Sequence, residues 1–443
     1  MPRRSVFYLL GLGVVVILVV RLASLSHKSP LPQILFWHSM TGGKATLLRV
    51  IIANYNTALA QNQAPYRVQL QFVGNYQEGL NKLRTSLIVG HGPAVAQITD
   101  IGSSLLMDSP HIVPLEDFMD RDSTFSKKDL IPSIRRYYEK YQKLYSLPFS
   151  TSNPVLYYNK DWFDQAGISK PPEDFYSLIA IARQLTRQAE GKTGIIWPLT
   201  SWFFEEYLAL QGALLADHAN GRQGLASTVY LDSPEGIRFV KMWKALVDQG
   251  LFLNVGRGWD PAEHNFLSGR CAMLISSTAE VFEMKTRAPF HIATAFLPTL
   301  GPPNKRLGTV VGGNSLWILK NQPRLHQEWS YALIKYMASH EVQKQWHTHT
   351  GYFPIRLDVI NELKKDGFYA HNPHMFTAIE QMLASPESPA TSGALLASFP
   401  EIRENIQLAI EQVLNNRDTV ESALKKARWE SEKTLNRYNQ FHR

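Results

Sequence analysis

Small hydroxyl residues open the most informative stretch of this chain, LPFSTSNPVLYYNKDWF at residues 147–163. Ser150, Thr151 and Ser152 follow an apolar step that a proline interrupts, and the β-rich run 155–158 comes after them. A strand entered through small polar residues can display hydroxyls in a cleft while its apolar remainder joins a sheet. The stretch therefore predicts hydroxyl groups that face a cleft.

Motifs of known catalytic chemistry do not fit the rest of the sequence. His340 and Glu341 have their next histidine at His347, which breaks the spacing of a zinc-binding H-E-x-x-H helix. Residues 312–316 (GGNSL) lack the second glycine of a nucleophile elbow. The GxG at 11–13 lies inside an apolar N-terminal run, and no P-loop is present. We expect no catalysis, no cofactor and no metal.

The single cysteine and one pair of adjacent glutamates could also be reactive, but the sequence favours other roles for them. Cys271 is the only cysteine, so it forms no internal disulfide and no CxxC site, and a buried structural thiol is expected. Glu205 and Glu206 are adjacent carboxylates, but nothing in the sequence places them across a sugar ring as a glycosidase requires.

Composition describes a globular protein of two or three domains. The chain has 443 residues, a length that is too great for one ordinary core. Its content of 44% hydrophobic and 19% charged residues is typical of globular proteins. Its formal charge of +8 either attracts anions such as phosphorylated solutes or serves only solubility. No basic run carries interleaved aromatic residues, so we expect no nucleic-acid partner.

The N-terminus predicts export. Arg3 and Arg4 precede an apolar run at 6–20. Its length of roughly 15 residues is short for a membrane span but fits a signal peptide. Ser24-Leu25-Ser26 offers a small-x-small cleavage pattern. Residues 1–30 are therefore a cleaved signal peptide or a short uncleaved anchor, and both alternatives place the remaining chain outside the inner membrane.

Alternating strand and helix patterns predict an α/β fold with mostly parallel sheets. Near the start, strands are expected at 33–37, 68–73 and 94–98, with helices at 45–60 and 78–89 between them. Ser233 and Pro234 begin a helix that Gly250 closes. Later expectations are a helix-to-strand turn at 266–273, a strand at 310–319, one helix at 327–348 and a packing helix from 419 onward.

The chain resembles the extracellular solute-binding proteins of ABC importers, and within them the glycerol-3-phosphate-binding family. Seven landmarks occur in the order of that family and cover nearly all of the chain after the N-terminal segment. They are 36–40 (FWHSM), 74–76 (GNY), 154–161 (PVLYYNKD), 271–273 (CAM), Gly312-Gly313 with Ser315-Leu316-Trp317, Trp346-His347 with Thr350-Gly351-Tyr352, and Pro400 with Ile402-Arg403.

The resemblance implies a two-lobed periplasmic-binding-protein fold of type II, with the ligand cleft at the hinge. The N-terminal lobe would hold 31–148 and 308–354, and the C-terminal lobe 149–307 and 355–443. Pro148 and Pro354 lie near the crossings, where a fixed φ can set the lobe angle. Such a protein is a periplasmic monomer that delivers a small phosphorylated glycerol ligand to the membrane subunits of an ABC permease.

The resemblance also implies a set of ligand-binding residues. Arg403 matches a phosphate-contacting arginine, and Ser152 and Ser277 match serines that donate to the anion. Gly313 matches a glycine that offers its backbone N–H, and Tyr76 and Tyr352 match tyrosines that present a hydroxyl. The alternatives are a surface salt bridge for the arginine, loop hydroxyls for the serines, a β-bulge for the glycine and core packing for the tyrosines.

Two positions bear on which solute is bound. The family has a glutamate where this chain has Asp100, whose carboxylate is one methylene shorter, and this change suits a bulkier ligand such as a glycerophosphodiester. Trp202, in the aromatic cluster 197–207, is either an apolar wall that can stack on a choline-like cation or part of the core. A sugar-binding protein of the same fold, an anchored sensor and a secreted hydrolase remain the alternative functions.

Overall fold

Two mixed β-sheets flanked by helices organise the computed structural model, which describes residues 31–302 and 306–442. The first sheet contains β1 (Gln33–His38), β2 (Arg67–Phe72), β3 (Val95–Thr99), β4 (Ile112–Val113), β7 (Leu147–Ser152) and β12 (Gly312–Leu319). The second contains β8 (Pro154–Asn159), β9 (Thr193–Ile196), β10 (Cys271–Ser277) and β11 (Ile292–Ala295). A small hairpin pairs β5 (Glu139–Lys140) with β6 (Lys143–Leu144).

The helices connect and cover these sheets. They are α1 (Gly42–Gln61), α2 (Tyr76–Ile88), α3 (Ser103–Met107), α4 (Glu116–Met119), α5 (Pro132–Arg135), α6 (Lys160–Gln165), α7 (Phe175–Leu185), α8 (Ser201–Leu210), α9 (Pro234–Asp248), α10 (Trp259–Leu267), α11 (Val281–Arg287), α12 (Arg324–Met337), α13 (His340–Thr350), α14 (Leu357–Lys365), α15 (Phe368–His371), α16 (Pro373–Leu383), α17 (Phe399–Leu414) and α18 (Val420–His442).

Strand direction corrects the expectation of mostly parallel sheets. In the first sheet, of order β2–β1–β3–β12–β4, β1 runs parallel to β2 and β3, while β12 is antiparallel to β3, β4 and β7. In the second, of order β11–β8–β10–β9, only the β10–β9 pair is parallel. Helical crossovers connect the parallel pairs. β12 follows all four strands of the second sheet in the sequence, and it enters the first sheet in the opposite direction.

Local sequence signals position several of these elements. Asn75 accepts a hydrogen bond from the backbone of Glu78, whose side chain accepts one from the Asn75 backbone, and this capping box starts α2 earlier than predicted. Ser233 caps α9 as expected. The single helix predicted at 327–348 is wrong, because Ser339 accepts a hydrogen bond from the N–H of Val342 and starts α13 as a separate helix.

The core lies on both faces of the second sheet. Side chains of β10 alternate, so that Leu274 joins one apolar cluster with the first sheet, while Met273 and Ile275 join another with α8, α9, α17 and α18. Cys271 is fully buried, as expected of a structural thiol. Burial of apolar area on this scale supplies the main driving force for folding.

The passage between the sheets takes place at Asn153. β7 pairs with β12 of the first sheet through Ser152, and β8 begins the second sheet at Pro154. The residue-by-residue division into lobes stays a prediction. The proposed signal peptide or anchor at 1–30 lies outside the described residues, among which no helix has the length and apolar character needed to cross a membrane.

Candidate functional site

A cleft of about 830 Å³ lies where strands of both sheets end. The structure brings all eight sequence-predicted ligand residues to it. These are Tyr76, Asp100, Ser152, Trp202, Ser277, Gly313, Tyr352 and Arg403. Their direct contact with a ligand stays a prediction, but their convergence excludes the possibility that they lie on unrelated surfaces.

Strand ends account for this convergence. Asp100 follows β3, Ser152 is the last residue of β7, and Ser277 is the last residue of β10. Gly313 lies at the start of β12, which is antiparallel to β3 and β7 and therefore begins at the edge where they end. Arg403 reaches the same edge from the beginning of α17. The crevice at the carboxyl ends of the strands is a common position for a ligand site in α/β proteins.

Arg403 is held by two carboxylates from different parts of the fold. Its Nε donates to Oε1 of Glu205 at 2.6 Å, and its Nη2 donates to Oε2 of Glu205 at 2.8 Å. Nη2 also donates to Oδ2 of Asp100 at 3.2 Å. Burial disfavours the charged guanidinium, but the two carboxylates outweigh it and raise the pKa of Arg403, which is therefore a permanent cation.

Glu205 is the main residue that sequence reasoning assigned to no site. It lies on α8, and its side chain is only 9% exposed. Burial raises the pKa of Glu205 to about 6, although the adjacent guanidinium of Arg403 opposes this shift. Glu205 is 198 positions from its partner, so that only the fold, and no local motif, reveals the pair.

Gly313 occupies a backbone conformation that other residues rarely adopt. Its φ is +117°, and a Cβ added there would lie 1.9 Å from the carbonyl oxygen of Ser150 on the paired strand β7. The neighbouring Gly312 has the indole of Trp202 against it, 3.0 Å from where its Cβ would be. A side chain at Gly313 would clash with the paired strand β7, and one at Gly312 would press against the indole; both glycines line the cleft.

Some hydroxyl groups of the cleft already bond to protein groups, whereas others keep a hydrogen that they can donate to a ligand. The hydroxyls of Tyr76 and Tyr352 lie 3.2 Å apart, and the amide of Asn314 donates to Tyr76. Ser277 accepts a hydrogen bond from the N–H of Ala279, which leaves its hydroxyl hydrogen available as a donor. The predicted donors thus keep capacity for a bound anion.

Behind Tyr352 the cleft wall is built from stacked aromatic rings and a hydrogen-bonded histidine. Trp346 stacks on Tyr352 with ring centroids 6.0 Å apart and on Phe149 at 4.7 Å. The ring of His347 accepts the hydroxyl hydrogen of Tyr369 at Nε2 and donates from Nδ1 to the carbonyl oxygen of Tyr352. Burial lowers the pKa of His347 to about 4, so the neutral tautomer holds this wall.

A second charged group lies at another part of the cleft. Lys44 of α1 pairs with Glu280 at 2.5 Å, and its ammonium lies 5.7 Å from the Tyr352 ring centroid. Burial and the carboxylate of Glu280 raise the pKa of nearby Glu263 to about 8. Trp202 and Trp259 also line the cleft, with their ring centroids 6.0 Å apart. Of these residues, only Trp202 was predicted from the sequence to lie at the site.

This arrangement is suited to binding a small anion with polar substituents. The cleft combines the guanidinium of Arg403, hydroxyl donors and the backbone at the start of β12 with carboxylates that can accept hydrogen bonds from solute hydroxyls. In the described part of the chain, no group of three or more histidine, cysteine or acidic side chains could hold a metal ion.

Comparison with curated proteins gives relatives over the whole length. The chain is 29% identical over 429 residues to the sn-glycerol-3-phosphate-binding periplasmic protein UgpB of Escherichia coli (strain K12), covering 95% of this chain and 96% of that protein. It is 28% identical over 418 residues to the protein of the same name from Yersinia pseudotuberculosis serotype I (strain IP32953), with coverage of 93% and 94%.

Solved structures share the fold. UgpB from Mycobacterium tuberculosis in complex with glycerophosphocholine superposes with a TM-score of 0.78 at 20% identity, over 92% of this chain and 99% of that one. The GacH receptor of Streptomyces glaucescens, solved with acarbose, gives 0.77 at 22% identity with the same coverage. The two-lobed fold expected from the sequence is thereby confirmed.

The family model for bacterial extracellular solute-binding proteins matches residues 51–377, about three quarters of the chain. This match agrees with the relatives and with the cleft between two sheets. The chain belongs to the family of bacterial extracellular solute-binding proteins.

Proposed function

We propose that this protein is the periplasmic solute-binding component of an ABC importer and that it carries sn-glycerol 3-phosphate or a glycerophosphodiester. It binds the solute between two closing lobes and delivers it, chemically unchanged, to the permease. The curated relatives from Escherichia coli and Yersinia pseudotuberculosis bind sn-glycerol 3-phosphate according to their names, and their likeness extends over nearly the whole chain.

The observation that carries the proposal is the convergence of a guanidinium and neutral donors on one cleft. Arg403, Ser152 and Ser277 come from three distant parts of the sequence and line the same space. A phosphate group needs such a mixture of one permanent cation and several hydrogen-bond donors. We expect Asp100, which lines the same cleft and accepts a hydrogen bond from Arg403, to accept hydrogen bonds from the glycerol hydroxyls.

The cleft is also large enough for a diester. Its volume of about 830 Å³ lies toward the upper end of the range for small-molecule sites, which is roughly 300–1,000 Å³. Trp202 and Trp259 provide an aromatic wall on which the cationic head of a choline diester can stack. A micromolar ligand requires about 8 kcal/mol of binding free energy, which several charge-assisted hydrogen bonds can supply.

A sugar-binding function is the second candidate. It is favoured by the two indoles and by the carboxyl groups of Asp260 and Glu263 in the same cleft, since sugar sites use aromatic platforms and acidic side chains that hydrogen-bond to hydroxyls. Such sites usually manage without a dedicated phosphate-binding arginine, and the presence of Arg403 in the cleft therefore decides our preference.

A thermal-shift screen tests both candidates on the purified protein. The ligands are sn-glycerol 3-phosphate, glycerophosphocholine, maltose and inorganic phosphate. At a ligand concentration of 100 times Kd, we expect a rise in melting temperature of about 3 °C for one or both glycerol phosphates. A rise with maltose alone would favour the sugar candidate, and no rise with either glycerol phosphate would contradict our proposal. Mass spectrometry of the ligand that co-purifies identifies the solute directly.

A further inference from the structure

We propose that Glu205 is a specificity-determining residue, which makes the cleft select glycerol phosphodiesters with a single negative charge over dianionic phosphate monoesters. This inference rests on the proposed function of the cleft and narrows its substrate class. Glu205 acts on the ligand through Arg403, by controlling which donors and how much positive charge the guanidinium offers.

Arg403 has few hydrogen-bond donors left for a ligand. A guanidinium has five N–H groups and recognises an oxyanion best through a fork of two neighbouring nitrogens. Glu205 takes Nε and one hydrogen of Nη2, and Asp100 takes the other hydrogen of Nη2. Both possible forks include Nη2, so neither is open to a ligand. A phosphate can use only Nη1, through single-nitrogen contacts.

The charges around Arg403 also disfavour a ligand with two negative charges. One guanidinium lies between two carboxylates, so this group as a whole does not present a net positive charge to a ligand. Carboxyl groups also outnumber cationic side chains among the described residues that line the cleft. Every additional negative charge on the ligand therefore meets an unfavourable field. A phosphodiester carries one such charge, whereas a monoester above its second ionisation carries two.

The core holds the side chain of Glu205 against Arg403. It lies on α8, where the flanking side chains Phe204 and Glu206 are fully buried, and both of its oxygens are bonded to Arg403. Arg403 is fixed on its other side as well, since its guanidinium lies 5.0 Å from the ring centroid of Phe399. The restriction on the guanidinium is therefore built into the core and does not depend on a mobile surface side chain.

The test compares two ligands in calorimetry at about pH 8, where a phosphate monoester is dianionic. They are sn-glycerol 3-phosphate and glycerophosphoglycerol, a diester with one charge and no cationic head. We expect the wild type to bind the diester more tightly. In Glu205→Gln, which keeps the shape but removes the charge, the ratio of the two affinities should move about tenfold toward the monoester.

Glu206→Gln is the matched control. It is the same substitution at the next position of α8, and the Glu206 carboxyl accepts a hydrogen bond from Val310 without contacting Arg403. This control should leave the ratio unchanged. A folding defect lowers the active fraction for both ligands equally, so that it cannot imitate a change in the ratio.

The outcomes separate the two proposals. If wild type binds neither ligand, the proposed function is wrong and the inference falls with it. If wild type binds both and Glu205→Gln leaves the ratio unchanged, only the inference is overturned. If Glu205→Gln does not fold, the wild type decides alone, since tighter binding of the monoester than of the diester would overturn the proposal.

Discussion

Replacing Arg403 by methionine should affect ligand affinity and protein stability through different groups. Methionine keeps an apolar stem beside Phe399 but removes every guanidinium donor. A phosphate ligand then loses its charge-assisted hydrogen bonds from Nη1, each of which contributes about 1.5–3 kcal/mol. We expect affinity for a glycerol phosphate to fall by about 3 kcal/mol, or a factor of more than 100.

Stability should fall in the same variant because two carboxylates lose their partner. The side chains of Asp100 and Glu205 are only 6% and 9% exposed, and both are bonded to the guanidinium. Removing one member of such a buried group costs about 3 kcal/mol of unfolding free energy. The double variant Arg403→Met/Glu205→Gln removes one of the stranded charges, and it should recover a large part of this stability without recovering affinity.

Urea titration of the ligand-free proteins and calorimetry with sn-glycerol 3-phosphate and glycerophosphocholine separate these effects. Unchanged affinity for both ligands in Arg403→Met would remove this arginine from the site. If the double variant were less stable than Arg403→Met, the carboxylates would not be the source of the lost stability, and the electrostatic reasoning would be refuted.

Three further predictions follow from other parts of the cleft. Asp100→Glu lengthens the acceptor by one methylene and should shift the ligand ranking toward the smaller monoester in competition binding; an unaltered ranking would refute this role. Gly313→Ala forces a Cβ into a carbonyl oxygen at φ +117° and should cost more than about 2 kcal/mol in urea titrations, whereas Gly167→Ala, at φ +72° with open space around it, should cost less. Burial lowers the pKa of His347 to about 4 from 6.5, so the unfolded chain binds a proton first as the pH falls. Stability should therefore decline between pH 6.5 and 4, by up to about 1.4 kcal/mol per pH unit, and His347→Gln should flatten this slope; equal slopes would contradict the assignment.

Much of the fold could be predicted because its signals are local. The stretch 147–163 contains β7, β8 and the start of α6 as its residue types indicate, and Asn159 caps α6. Ser233 and Pro234 begin α9 at the expected residues. The mixed direction of the sheets could not be predicted, because strand polarity depends on where the chain returns after a long excursion and not on any residue within the strand.

The candidate site also has residues that could be predicted from the sequence and residues that could not. Seven landmarks in the order of a known family, together with the aromatic cluster around Trp202, predicted eight residues that the structure brings to the cleft. Glu205, Lys44 and Glu280 were missed, because each acts through a partner that is about 200 or more positions away. The sequence lists their charges, but the pairing that gives those charges a role exists only after folding.

The indoles of the cleft give this protein a built-in optical reporter. Of its ten tryptophans, Trp202 and Trp259 line the ligand space, while Trp197, Trp243, Trp317 and Trp346 are fully buried in the core. A solute that enters the cleft changes the polarity around the first pair and leaves the other four in place. Intrinsic fluorescence can therefore follow solute exchange in real time without a label, and replacing Trp202 or Trp259 by phenylalanine assigns the signal to one wall.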